Sequence, residues 1–209
     1  MSSPDFAALY RGTAIAGAGS AVVLLINAAK RAEVIPTSAF TQLVAPLAQI
    51  LALALVTGLY VAFGRRAGRF GLVAFLVNAF ALAALVGVEF VINLVFVELP
   101  AGTIEALRAG PLGVALTVAS VLFLLGTLAF VAAMMRTREL PAVPLFLYAA
   151  GAVPVSLRAF VPEAVLDLGL VTLAVGIAWL AAWFFTRASA IASPTWSAFE
   201  LVPHRDHVS

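Results

Sequence analysis

Three polar residues interrupt one long apolar run: Asn78, Glu89 and Asn93. Positions 89 and 93 are four apart, and 78 to 89 is close to three helical turns, so on a helix all three project from one face. A charged carboxylate at the centre of a bilayer costs roughly 2.5–3.5 kcal/mol on insertion scales. Glu89 therefore needs either a partner or a shallow position. Arg158 and Asp167 stand at the ends of two later apolar runs, on the same side as Glu89 if the runs alternate in direction. Glu89, Asn93, Arg158 and Asp167 thus form a candidate outer-leaflet cluster, in which Arg158 would neutralise one or both carboxylates. Proton or cation binding is the chemistry open to it. The structural alternative is an acid complementing a helix N-terminus beside a snorkelling arginine. Length favours the shallow position. Phe70 to Val97 is roughly 28 residues, about 42 Å of helix, against a hydrocarbon core of about 30 Å. Either Glu89 lies near the outer boundary, or Gly87 marks a kink.

Asn27, Gln49 and Asn78 are the candidate interior amides. Asn27 and Gln49 are expected to bond to neighbouring helices, at about 0.6–2 kcal/mol each. Thr117, Ser120 and Thr127 can bond back to their own helix.

These residues sit in a chain of 209, of which 64% are hydrophobic and 11% charged. Soluble domains carry roughly 45–50% apolar and about 25% charged residues. Cysteine is absent, which removes disulfides, thiolate metal sites and cysteine nucleophiles. Both histidines, His204 and His207, lie near the C-terminus, so no apolar run offers a histidine haem ligand. Lys30, the only lysine, stands at the end of a run, which excludes a mid-membrane Schiff base. No catalytic, cofactor or metal site is expected, and an enzymatic role ranks last because intramembrane enzymes gather several acids or histidines. The net charge of +2 without a basic stripe does not point to nucleic acid.

Six apolar runs set the organisation: residues 13–29, 43–64, 70–97, 111–135, 140–157 and 164–185. Each approaches the 17–25 residues that cross a bilayer as a helix, the run at 140–157 being the shortest. The expected fold is all-α, a polytopic six-transmembrane-helix bundle over residues 1–187, followed by a polar cytoplasmic tail, 188–209. The first run lacks the clean cleavage site of a secretory signal. Thr37 or Ser38 is a candidate N-cap for the second run, and Pro141 suits a first helical turn. The remaining joints are short and hold no soluble domain.

Arginine placement orients the chain. With the N-terminus in the cytoplasm, Arg11, Arg65, Arg66, Arg69, Arg136, Arg138, Arg187 and Arg205 lie inside, and Lys30, Arg31, Arg108 and Arg158 outside. That bias favours both termini in the cytoplasm of a multi-pass protein of the cell membrane. Trp196 and Phe199 are the aromatics of the tail, which composition marks as mobile. The spacing Gly17-x-x-x-Ala21 allows close helix approach. It is expected to pack within the chain, with a homo-oligomer or membrane-protein partner as the alternative.

At a constant offset of 98 the second and third runs align with the fifth and sixth: Gly71-Leu72-Val73 with Gly169-Leu170-Val171, and Pro46-Leu47 with Pro144-Leu145. Three helices per half would make a 3+3 inverted repeat, an architecture that recurs in transporters. A chain so rich in Ala, Leu and Val also matches itself by chance.

The layout resembles a broad group of bacterial, often actinobacterial, six-helix membrane proteins of unassigned function. The resemblance rests on Tyr10-Arg11 leading into Ala16-Gly17, on Leu59-Tyr60 followed by Arg65 and Arg66, and on Arg138-Glu139-Leu140-Pro141. It implies the six-helix fold and carries no activity, cofactor or site residues. The expected role is a non-enzymatic bundle acting through partner or lipid binding. A small transporter or channel subunit using Glu89 and the amides is the alternative. A dry interior, a watery crevice or a crevice suited to lipid would separate these readings.

Overall fold

The computed structural model describes residues 3–193. Helices α1 (Ser3–Arg31), α3 (Leu47–Phe63), α4 (Gly68–Phe90), α6 (Pro111–Thr137), α7 (Ala142–Ser156) and α8 (Glu163–Ala192) build the bundle, joined by the short helices α2 (Ala39–Val44) and α5 (Ala101–Ala109). No strand occurs among the described residues. Four apolar stretches are long enough to cross a membrane: Asp5–Arg31, Ala39–Glu98, Pro111–Thr137 and Glu163–Ala192. The second holds both α3 and α4, folded back on each other at Gly64–Ala67, and α7 is a shorter apolar helix.

The six main helices alternate in direction and close into a ring: α1 on α3, α3 on α4, α4 on α6, α6 on α7, α7 on α8, and α8 back on α1. Small residues set the close approaches. A Cβ at Gly17 would meet Leu55 Cδ2 at 2.6 Å, so the small-residue face of α1 is spent on α3 within the chain. At Gly126 a Cβ would come within 2.8 Å of Asn78 Cα, which brings the backbones of α4 and α6 together. Gly151, Gly169 and Gly176 do the same between α7 and α8. Large apolar side chains cover the outside, among them Ile15, Phe80, Phe146 and Leu168. An exposed apolar belt of that extent is a surface for hydrocarbon rather than water.

Charges collect at the two ends of the ring. At one, which we call the arginine end, Arg66 pairs with Glu139, Arg136 lies 4.3 Å from the Phe70 ring centroid, and Arg11 donates to Ser189 Oγ at 2.9 Å. Both described ends of the chain lie here. At the opposite end Arg31 meets Asp167 and Arg158 meets Glu89.

The boundaries differ from the sequence reading for local reasons. Ser38 does cap a helix, bonding reciprocally with Thr41, but that helix is the short α2. Pro46 has no N–H to continue it, and α3 starts only at Leu47. The third run is not one regular helix. It passes into a π turn at Val91–Val95 and a 3-10 turn at Phe96–Glu98, so the irregularity follows Glu89 and does not fall at Gly87, which is helical. The joint before Pro111 contains α5, an unforeseen helix with Arg108 packed 5.2 Å from the Phe96 ring centroid. Helix α8 runs through residue 192, past the expected tail boundary at 188. Trp196, Phe199, His204, Arg205 and His207 lie outside the described residues.

Candidate functional site

α3 has 17 residues and α7 has 15, roughly 25 and 22 Å of helix, whereas α1, α6 and α8 have 29, 27 and 30. Only α3 stops short of the end opposite the arginines, starting after α2 and Pro46, whereas α7 ends at Ser156, two residues before Arg158. Residues of all six main helices line a cavity of about 270 Å³. Its mouth carries Lys30, Arg31, Glu89, Asn93 and Arg158. Its walls are apolar, with Leu24, Leu85, Phe123, Leu170, Leu173 and Ile177, and Tyr148 and Ala52 lie at its floor. Below the floor Leu59, Phe130, Leu180 and Phe184 are packed to 2% exposure or less. The cavity is therefore blind: polar at the mouth, apolar along the wall, and followed towards the arginine end only by a space of about 10 Å³ among Leu59, Phe130 and Leu180.

The π turn builds the mouth. Asn93, raised there, donates through Nδ2 to the Glu89 carbonyl at 3.0 Å and to Glu89 Oε2 at 2.9 Å. Its Oδ1 accepts from Lys30 Nζ at 2.7 Å. The other carboxylate oxygen, Glu89 Oε1, lies 3.5 Å from an Arg158 guanidinium nitrogen. A chain of four polar side chains thus joins α1, the end of α4 and the turn after α7. Extra turns of this kind are frequent at functional sites. Burial pulls the Arg158 guanidinium below its ordinary pKa, Glu89 pushes it back up, and Arg31 and Arg108 pull it further down.

Of the expected cluster, Glu89, Asn93 and Arg158 come together and Asp167 does not join them. Asp167 Oδ1 accepts from Arg31 Nε at 3.1 Å, and Glu163 approaches the same guanidinium at 3.9 Å. Arg158 therefore meets one carboxylate, because Arg31, at the end of α1, reaches the other first. Lys30 and Arg31 were legible only as segment-end charges, and nothing in sequence spacing placed them beside Glu89.

The interior amides divide. Asn27 and Gln49 line the cavity, and the expectation that they bond to neighbouring helices fails for their carbonyl oxygens. Asn27 Oδ1 and Gln49 Oε1 are buried without a hydrogen-bond partner. Asn78 is elsewhere: fully buried on α4, it accepts from Thr127 Oγ1 at 3.1 Å, while its Nδ2 has no partner. Thr127 thus bonds across to α4 rather than back along its helix, whereas Thr117 and Ser120 bond back as expected. Tyr148, whose buried hydroxyl lies beside Asn78 and Thr127 without a well-aligned hydrogen bond to either, was not a candidate from sequence. A lone tyrosine in an apolar run carries no spacing signal.

Among the described residues no three His, Cys, Asp or Glu side chains come together as a metal-holding group. Comparison with known proteins finds no matching family model, no similar curated protein and no similar solved structure. The function must be read from the cavity itself.

Proposed function

We propose that this protein is a non-enzymatic, multi-pass bundle of the cell membrane that binds a lipid or lipophilic ligand in the blind cavity. The observation that carries the reading is a 270 Å³ space with apolar walls and two buried amide oxygens left without partners. An unpaired buried polar atom costs about 1–3 kcal/mol. A ligand or water that donates to Asn27 and Gln49 offsets that cost. Ligand pockets are mostly apolar with a few placed polar groups, and typically hold about 300–1,000 Å³. This one lies just below that range and suits one chain or one small ring system.

The arginine bias favours the cytoplasm for the arginine end, with both termini there, and the cavity mouth facing out. The helix pairing also favours the 3+3 inverted repeat. Under the offset of 98, α3 corresponds to α7 and α4 to α8, and α1 packs on α8 as α6 packs on α4. Pro46 and Pro144 are both fully buried beside the starts of their helices. Inverted repeats with a site between the halves keep transport as the second reading. Transport requires a path through Leu59, Phe130, Leu180 and Phe184, and Asn78 lines no part of the cavity. Binding without transport therefore ranks first.

Co-purification tests the proposal. The full chain and the cavity-filling variants Leu24→Trp and Leu170→Trp are purified in neutral detergent, and organic extracts are compared by mass spectrometry. The native protein is expected to carry a lipophilic compound near one per chain, enriched over bulk lipid and reduced several-fold in whichever variant keeps a cooperative melt. Extracts that match bulk lipid, unchanged by filling the cavity, would overturn it.

A further inference from the structure

We infer that the cavity mouth recognises an anionic oxygen headgroup, carboxylate or phosphate, on a single-chain amphipath, with Lys30 as the primary counter-charge. The inference rests on the ligand-binding reading and deepens it. Each charge near the mouth can be followed to its partner. Arg31 is taken by Asp167 at 3.1 Å, with Glu163, 88% exposed, in water on the same guanidinium at 3.9 Å. Glu89 is shared between Asn93 and Arg158. Arg108 adds a further positive charge that Arg158 feels. Lys30 is left half-buried; among the described residues it has no carboxylate within 4.0 Å, and Glu89, already bonded to Asn93 and Arg158, acts on it only at longer range. Its one hydrogen bond is to the neutral Asn93 Oδ1 at 2.7 Å.

An ammonium has three donors and no acceptor. Two of those on Lys30 are open, on the wall of a cavity whose charged lining is three cations and one acid. A charge drawn partly out of water is costly unless paired. The missing partner is an anion, and charge-assisted bonds from an ammonium to carboxylate or phosphate are the strong kind. Cations are disfavoured by the same balance, since Glu89 is already neutralised by Arg158. Below the mouth, Asn27 Oδ1 and Gln49 Oε1 are open acceptors, so a hydroxyl or N–H set a short way down the chain would complete the fit. The walls then take the alkyl part. At about 270 Å³ the space matches one chain rather than two.

Four probes of equal chain length test this on the full protein in discs of neutral lipid: dodecanoate, dodecyl phosphate, dodecanol and dodecylammonium. Affinity is read from the concentration dependence of the thermal midpoint, with empty discs and inorganic phosphate as controls. Both anionic probes are expected to bind at least tenfold more tightly than dodecanol or dodecylammonium. Preference between the two anionic arms tells a carboxylate from a phosphate ligand, and tight inorganic phosphate binding without chain dependence would overturn the amphipath. Lys30→Gln is expected to weaken the anionic probes about tenfold and leave dodecanol unchanged, and Lys30→Arg to restore most of the loss. Equal binding of all four heads, or indifference to Lys30→Gln, overturns the headgroup assignment and leaves the cavity reading standing. No binding above empty discs, unchanged by Leu170→Trp, overturns both.

Discussion

Glu89 and Arg158 test how the mouth is held. The two side chains are 17% and 30% exposed and meet at 3.5 Å, so their interaction is screened less than a surface pair. Glu89→Gln and Arg158→Gln, alone and together, should give a non-additive thermal-stability cycle with coupling above about 0.5 kcal/mol. Clean additivity would remove the pairing. A second test lies deeper. Thr127→Val deletes a donor to Asn78 Oδ1 while keeping the shape of the side chain. With Asn78 Nδ2 already unpartnered, loss of a further bond in a fully buried site should cost about 1–3 kcal/mol, read as a lower melting midpoint in detergent. Asn78→Leu together with Thr127→Val should recover part of that cost, because the polar groups are removed in pairs. These residues also mark how far spacing alone could go. The i, i+4 relation of Glu89 and Asn93 survived because it is local. The partner of Arg158 was only half legible, and Lys30 was missed, because those contacts join residues 69 and 63 positions apart.

At the scale of the element, glycines separate packing from propensity. Gly126→Ala places a methyl 2.8 Å from the Asn78 backbone, so α4 and α6 must part, and destabilisation of about 1–3 kcal/mol or more is expected. Gly87→Ala meets nothing within 4 Å on an exposed face of α4, and should be neutral or stabilising by about 0.5–1 kcal/mol. Thermal melts of both variants in one detergent decide the matter, and equal effects would deny that α4 and α6 are held at backbone contact. The same contrast explains what the sequence could and could not yield for the helices. Hydropathy located all six because lipid-facing and core-facing side chains are alike apolar. That sameness hides helix ends, since periodicity is weak where both faces are greasy. It misplaced the start of α3 at Leu43 rather than Leu47, and it gave no sign of α5 or the π turn. The departures from regular helix fall where Asn93 meets Lys30, a tertiary contact that no local propensity encodes.

For the whole molecule, the decisive quantity is which end faces which compartment. Seven arginines gather at the end where Arg66 meets Glu139, while Lys30, Arg31, Arg108 and Arg158 mark the other. Translocation disfavours loops rich in arginine, so the cluster at Arg65, Arg66 and Arg69 should stay in the cytoplasm. The absence of cysteine allows this to be tested without background labelling. Glu163→Cys, at a side chain 88% exposed beside the cavity mouth, should react with a membrane-impermeant maleimide in intact cells. Arg138→Cys, in the turn between α6 and α7, should react only after the membrane is opened. The pair matters more than either alone, because the alternating ring fixes the two positions at opposite ends. Labelling of both from outside would contradict the bundle as a membrane-crossing object. Labelling in the reverse order would keep the bundle and turn it over, so that the cavity mouth met the cytoplasm and drew its anionic ligand from there.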